Sequence, residues 1–319
     1  MNVKFRLVGA LLITAAALPA AAQDKIIVGN TGAGSPLQWP AYAGIAKGFF
    51  RAAGVELDMI PMPSSAAGMQ QLSSGSTHIN SSGLVDAIRA VDKGAPVRLI
   101  RTEVRRSPYE VYAQKSIKSF ADLKNKTVMI GGVKDITRIY FEQVATANGL
   151  KPGDYDYIFA GATASRYAAL ASGSIAATII TSPFNFRAEA EGYTKLGSSV
   201  EASRGFPFSG YSTNLEWAKK NPKAIAGFFS AYAKGVDWLY DPVNRAEAVE
   251  IMVKASKAEA AEVDKTYDFF LGLKLWDRVG SIPDSRVQDV IDFLKKEGEI
   301  DGPTDLARYF DASLVPKPQ

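Results

Sequence analysis

The chain has 319 residues, with 37 Lys and Arg against 33 Asp and Glu, one His, no Cys and a formal net charge of +4. So small a positive balance leaves no electrostatic footprint for nucleic acid, and the absence of Cys excludes disulfides, thiolate metal sites and cysteine nucleophiles. With a single His, zinc and nucleophile–base schemes also lack parts, so the expectation is a protein that is not an enzyme and holds no cofactor or metal.

Residues 1–22 read as an export signal. Lys4 and Arg6 make a basic start, residues 7–18 an apolar run too short to span a bilayer, and Ala20, Ala21 and Ala22 a small-residue cleavage pattern. Cleavage is expected after Ala22, so that the mature chain starts at Gln23 or Asp24; a short uncleaved anchor helix is the competing reading. Residues 1–22 hold two cations and no acid, so the mature net charge falls to +2. No other apolar run approaches membrane-spanning length, and no Cys is present to carry a lipid anchor. The mature chain is therefore expected outside the cytoplasm, in the periplasm where there is an outer membrane, and is long enough for two domains.

From Lys25 onward short β-rich runs alternate with helical ones. Residues 25–29 read as a strand. Residues 40–50 read as a helix, with Pro40 in its first turn and Gly48 closing it. Residues 55–61 are a strand. Ser64 or Ser65 caps the next helix, Met69 and Leu72 face inward, and Gly75 ends it. A strand at 77–80, a helix at 84–91 and a strand at 97–102 complete a rhythm that implies a mostly parallel sheet with helices on both faces.

A second unit of the same kind follows. Residues 109–113 are extended, 120–123 form a helical turn and 127–131 a strand. Asp135 caps a helix whose Ile136, Ile139, Tyr140, Val144 and Ala147 have helical spacing, and Gly149 stops it. A strand at 155–159, a helix at 163–172 and a strand at 176–181 come next. Ser182-Pro183 then opens a short helix as cap and first-turn proline.

Beyond Ser198 the rhythm changes. Residues 201–211 are extended and rich in Phe, Pro and Gly, and from Asn221 the chain is nearly all helical. Asn221-Pro222 starts a helix with an apolar stripe of Ile225, Phe228, Phe229, Tyr232, Val236 and Leu239. Further helices are expected at 245–255, 258–275, 284–296 and 304–310. The extended stretches near 105–111 and 203–211 bracket the second unit and read as two crossings between lobes.

Five phrases carry a family resemblance: GIAKGFFRAAGVEL at 44–57, LSSGSTHINSSG at 72–83, SFADLKNKTVMIGG at 119–132, NGLKPGDYDY at 148–157 and ALASGSIAATIITSPF at 169–184. Each is loose alone. In this order and spacing the chain resembles the periplasmic substrate-binding proteins of ABC importers, in the nitrate/sulfonate/taurine branch, whose fold is shared with binders of thiamine pyrimidine precursors. The resemblance implies an α/β, two-lobed periplasmic-binding-protein fold of type II, a hinged clamp with a helical C-terminal region. Residues 24–107 plus 205–319 would form lobe I and residues 108–204 lobe II. It also implies a monomer that closes on a small-molecule ligand and presents it to an ABC permease in the inner membrane. The alternatives are a pyrimidine-precursor binder, a synthase-like enzyme of the same fold, or a periplasmic sensory module. Synthases of that fold use a cysteine-rich loop, which this chain lacks.

In open parallel sheets ligands lie beyond the carboxyl ends of the strands, where loops meet helix N-termini. The ligand-binding candidates in those loops are Ser35, Gln38, Trp39, Ser64, Ser65 and Ser82 in the first unit. In the second they are Gly132, Lys134, Asp135, Thr137, Thr163, Ser182 and Phe184. Bare N–H groups and partial positive charge at helix starts favour an anion such as a sulfonate, carboxylate or nitrate. Plainer roles compete at each position. Ser64, Ser65, Asp135, Thr163 and Ser182 read first as caps, Phe184 as core, and Lys134, Arg138 and Arg166 as surface charges, while Trp39 reads as core or as a ligand stack. His78 falls inside an expected strand and reads as structural.

Overall fold

The structure is a computed structural model that describes residues 23–202, 206–278, 280 and 284–315. The expected leader at 1–22 and the 203–205 part of the second crossing lie outside the described residues. In chain order the strands are β1 (Asp24–Thr31), β2 (Val55–Met62), β3 (Ile79–Gly83), β4 (Val97–Val104), β5 (Glu110–Ala113), β6 (Thr127–Ile130), β7 (Asp156–Phe159), β8 (Ala177–Ile180), β9 (Thr194–Ser198) and β10 (Ser209–Asn214). Helices α1 (Trp39–Ala46), α2 (Phe49–Ala52), α3 (Ser65–Ser73) and α4 (Leu84–Asp92) connect the first strands. Helices α5 (Ile136–Ala147), α6 (Thr163–Ala171), α7 (Phe184–Ala190) and α8 (Ser199–Ala202) belong to the middle of the chain. The remainder is α9 (Leu215–Lys220), α10 (Pro222–Tyr240), α11 (Arg245–Ser256), α12 (Ala260–Gly272), α13 (Asp284–Lys296) and α14 (Leu306–Tyr309).

Two five-stranded sheets form, with orders β2-β1-β3-β10-β4 and β7-β6-β8-β5-β9. In the first, β1 is parallel to β2 and β3, while β10 runs antiparallel between β3 and β4. The second repeats this plan, with β6 parallel to β7 and β8, and β5 antiparallel between β8 and β9. The sheets are thus mixed rather than purely parallel. Each antiparallel strand arrives directly from a crossing between the two units, so it enters from the opposite end to its neighbours.

Local differences from the sequence reading have local causes. The helix expected at 40–50 is broken into α1 and α2, because Gly48 between them takes a left-handed φ of 72°. Strands β9 (TKLGS) and β10 (SGYSTN) are small and polar, and lack the β-branched runs that mark strands in sequence. Ser64 caps α3 by accepting from Ala67 N at 3.1 Å, and Asp135 caps α5 by accepting from Thr137 N at 2.9 Å. Ser182 does not cap α7: that helix starts two positions later, and the Ser182 hydroxyl is buried without a hydrogen-bond partner. His78 accepts from Ile27 N at 3.2 Å through Nδ1 and stacks on Trp217 with ring centroids 4.7 Å apart. Burial lowers its pKa, so the ring serves as a neutral structural acceptor.

The apolar stripe of α10 is buried along its whole length and packs on α1 and α2, each large side chain contributing roughly 2 kcal/mol. Helices α13 and α14 cover α4, so the helical C-terminal region backs the first sheet. The α10–α1 crossing is close because Gly235 faces the Pro40 backbone: a Cβ there would lie 2.2 Å from the Pro40 carbonyl oxygen. Gly235→Val is therefore expected to destabilise the protein by about 3 kcal/mol or more, read from the urea midpoint. An unchanged midpoint would mean that the crossing yields.

Candidate functional site

A cleft of about 450 Å³ lies between the carboxyl ends of the two sheets. That volume suits a small organic ligand and far exceeds what an inorganic oxyanion fills. Its walls are the loops after β1, β3, β6, β7 and β8, the start of β10 and the segment after α11.

The wall from the first sheet is organised by Glu103 of β4, which is fully buried. Gln38, in the 3-10 turn Pro36–Gln38, donates to one carboxylate oxygen through Nε2, and its Oε1 accepts from the Tyr211 hydroxyl at 3.1 Å. The Ser81 and Ser209 hydroxyls donate to the other oxygen at 2.6 and 2.9 Å. Burial pushes the Glu103 carboxyl up to about 7, against the opposing pull of those hydrogen bonds. Nearby, the Asp86 carboxyl in the first turn of α4 is also pushed up to about 7, by burial and then by the charge of Asp135 across the cleft. Its Oδ2 is buried without a partner.

The wall from the second sheet rests on Arg166 of α6, with no exposed surface at all. Its Nε donates to the Ile179 carbonyl at 2.9 Å and Nη1 to the Ala160 and Gly161 carbonyls at 3.1 and 2.6 Å. Nη2 donates to Thr163 Oγ1 at 3.0 Å. Among the described residues no carboxylate pairs with this guanidinium, so its charge is met by these dipoles and by the face of the Tyr109 ring, 5.7 Å away. The sequence offered Arg166 as a surface charge or a ligand contact; the structure makes it the support beneath the wall.

Three hydroxyls, Ser82 Oγ from the first sheet and Thr181 Oγ1 and Ser182 Oγ beside the second, are buried at the cleft with no partner. Buried polar groups in folded proteins are almost always hydrogen-bonded. Three such hydroxyls from two sheets around one cavity leave hydrogen-bonding capacity that a ligand or ordered water in the cleft can take up.

The walls touch at the rim. Arg187 of α7 holds Glu262 of α12 in a two-pronged pair at 2.6 and 2.7 Å, beside an edge-to-face contact of Phe186 with Phe269 at 5.8 Å. On another side Gly161 lies against Pro63 and Ser64, and the Lys134 carbonyl accepts from Arg89. A Cβ at Gly161 would stand 2.6 Å from the Pro63 carbonyl oxygen.

Of the candidates from sequence, Ser35, Gln38, Ser65, Ser82, Asp135, Thr163, Ser182 and Phe184 line the cleft. Five do not. Trp39 is buried in the core against Phe270 and Trp276, at 6.2 and 5.9 Å. Ser64 is spent on the α3 cap. Thr137 is buried, accepting from Gly131 N at 2.7 Å and donating to Asp135. Gly132 lies outside the lining, and Lys134 borders a separate, open groove beside α3 and α4. Sequence reasoning missed Tyr109, Arg187, Ser209 and Lys257 in the lining and Glu103 behind it. Arg187 was legible, being one helical turn from Phe184. Glu103 stands in VRLIRTEV, a run that is half polar, so nothing in the sequence sets it apart. Nothing local marks Lys257, which reaches the cleft from the end of α11.

Among the described residues no helix is long and apolar enough to cross a membrane. Residues 36–245 match the family described as NMT1/THI5 like. The 4-amino-5-hydroxymethyl-2-methylpyrimidine phosphate synthases THI5 and THI12 of Saccharomyces cerevisiae are 24% identical over 229 residues, 66% of this chain and 66% of theirs. The chain thus spans just under two thirds of the length of those relatives. The alkanesulfonate-binding protein SsuA of Xanthomonas axonopodis pv. citri, solved with MOPS, superposes with a TM-score of 0.73 at 16% identity, covering 94% of this chain and 99% of that one. The periplasmic nitrate-binding protein NrtA of Synechocystis PCC 6803 gives 0.74 at 16% identity, covering 92% and 87%. These likenesses extend over nearly the whole described chain and establish the periplasmic-binding-protein fold.

Proposed function

The chain belongs to the NMT1/THI5-like family, and from that premise we propose that it is the extracytoplasmic solute-binding component of an ABC importer, closing two lobes on a small organic anion. Residues 24–107 with 205–319 would form one lobe and 108–204 the other, the leader would direct export to the periplasm, and an inner-membrane permease would receive the solute from a monomeric receptor. The observation that carries this reading is the enclosed cleft with orphaned hydroxyls on both walls. Several helix starts and a buried arginine without a counter-ion border it, which favours negative charge there. Catalysis finds little to work with: the chain has no Cys, and its one His is stacked on Trp217.

Thermal-shift titration of the protein with sulfonates, carboxylates, nitrate and phosphorylated pyrimidines tests the proposal. A binder at one hundred times its Kd is expected to add about 2.7 kcal/mol of stability. Failure of every class to shift the melt would reject it. A second reading, a receptor for an aminopyrimidine phosphate, draws on the yeast relatives and on Tyr109, Phe184 and Phe208 in the lining; the phosphorylated pyrimidines in the panel decide it. Gly161→Val is expected to prop the rim apart and weaken binding of any ligand at least about tenfold, while costing little stability, because the conflict exists only when the walls meet. Unchanged affinity would show that closure does not need that contact.

A further inference from the structure

Two buried charges decide which way the cleft hydroxyls point. An ionised carboxylate only accepts hydrogen bonds. The hydrogens of Ser81 and Ser209 are therefore committed to Glu103, at 2.6 and 2.9 Å, and these hydroxyls turn only lone pairs toward the cleft they line. Gln38 cannot compensate, since its Nε2 is held by Glu103 and its Oε1 by Tyr211. Across the cleft the rule reverses. A guanidinium only donates, so Thr163 Oγ1 accepts from Arg166 and its own hydrogen is left for the Tyr109 hydroxyl beside it or for a ligand in the cleft. Ser81 and Ser209 thus form an acceptor patch on one wall, and Thr163 offers a donor on the other.

We infer that the ligand is an anion that also carries an amine or amide N–H, with the N–H end taken by Ser81 and Ser209 and the anionic end held near Thr163 and the start of α6. This rests on the solute-receptor reading and narrows its substrate class. Glu103 is the positioning residue behind it, acting through the two serines. The titratable groups facing Glu103 are Tyr211 of β10 and Tyr232 of α10, and burial holds both well above the usual tyrosine range, so they stay neutral. Arg101 lies beyond them, over the Tyr232 ring at 5.4 Å. Glu103 therefore changes charge around neutrality, as Asp86 does nearby on the same wall, and protonation of Glu103 frees one serine hydrogen to turn outward.

Calorimetric titration at pH 8 with matched pairs tests this: 2-aminoethanesulfonate against ethanesulfonate, 3-aminopropionate against propionate, and a 4-aminopyrimidine phosphate against its 4-hydroxy analogue. In at least one pair the N–H-bearing member is expected to bind about tenfold tighter or more, because the analogue leaves acceptors unpaired. That ratio is expected to fall to within about threefold in Glu103→Gln, and in the wild type at pH 5.5. Ser81→Ala and Ser209→Ala leave Glu103 in place and are expected to lower the ratio as well, so the test survives if Glu103→Gln does not fold. Equal affinity within every pair that binds, or a ratio untouched by the serine variants, overturns the inference while leaving the receptor reading intact. Binding of no member of any pair overturns both.

Discussion

Arg166→Met is expected to lower folding stability by about 4 kcal/mol and to weaken anion binding by at least about tenfold. The side chain is fully enclosed, and its guanidinium satisfies three backbone carbonyls and one hydroxyl from three segments. Hydrogen bonds to a charged group are worth roughly 1.5–3 kcal/mol each, and a buried acceptor that loses its donor carries a desolvation penalty of its own. Against this stands the cost of burying the charge, which Met removes. The net remains destabilising because Met has nothing to offer Ile179, Ala160 and Gly161. Arg166→Lys is expected to recover only part of the loss, since an ammonium cannot span acceptors on both sides of a planar fork. Urea unfolding reads the stability and calorimetry the affinity. A Met variant within about 1 kcal/mol of the wild type would mean that the buried charge contributes nothing net.

The second large effect is with pH. Without ligand, the protein is expected to lose stability as pH rises from 5 to 8.5. The Asp86 and Glu103 carboxyls, with ordinary values of 3.8 and 4.5, are both held up to about 7 in the folded protein. The folded state therefore binds more protons than the unfolded chain between those limits. The stability linked to each carboxyl is full below about pH 4 and is lost as pH climbs through about 7. Each group accounts for on the order of 3 kcal/mol. Glu103→Gln is expected to match the wild type near pH 5 and to exceed it at pH 8.5, as is Asp86→Asn. Parallel stability–pH curves for wild type and both variants would contradict the assignment. Asp92, Asp122 and Asp264 are shifted the other way, held low by backbone or side-chain hydrogen bonds, and their contributions fade only in acid.

Much of this architecture was readable from residues alone, and the misses share causes. Strands with apolar runs, such as KIIVG and TVMIG, announce themselves by burial, and the α10 stripe did so by its period. Strands β9 and β10 did not, because pairing with neighbours fixes them rather than their own side chains. The candidate site followed from one rule, that loops after parallel strands face the ligand, and that rule placed Ser82, Asp135 and Ser182 at the cleft. It does not say which way a side chain turns within a loop. Trp39 and Thr137 sit in the right loops and point into packed protein. Nor does it see layers behind the wall. Glu103 and Arg166 act through other residues, and only three-dimensional contacts connect them to the cavity.

The place of β10 has a consequence for how the chain assembles. Among the described strands β4 pairs with β10 alone, and its other edge meets isolated bridges from Trp276 and Phe310, so residues 97–104 remain unpaired until residues 209–214 and later ones exist to join them. Every strand of the second sheet lies before that point, between residues 110 and 198. On a growing or refolding chain, loop closure favours near neighbours first. The inserted unit then gains its order ahead of its host, and a nascent chain halted at residue 202 leaves β4 open to stray strand pairing.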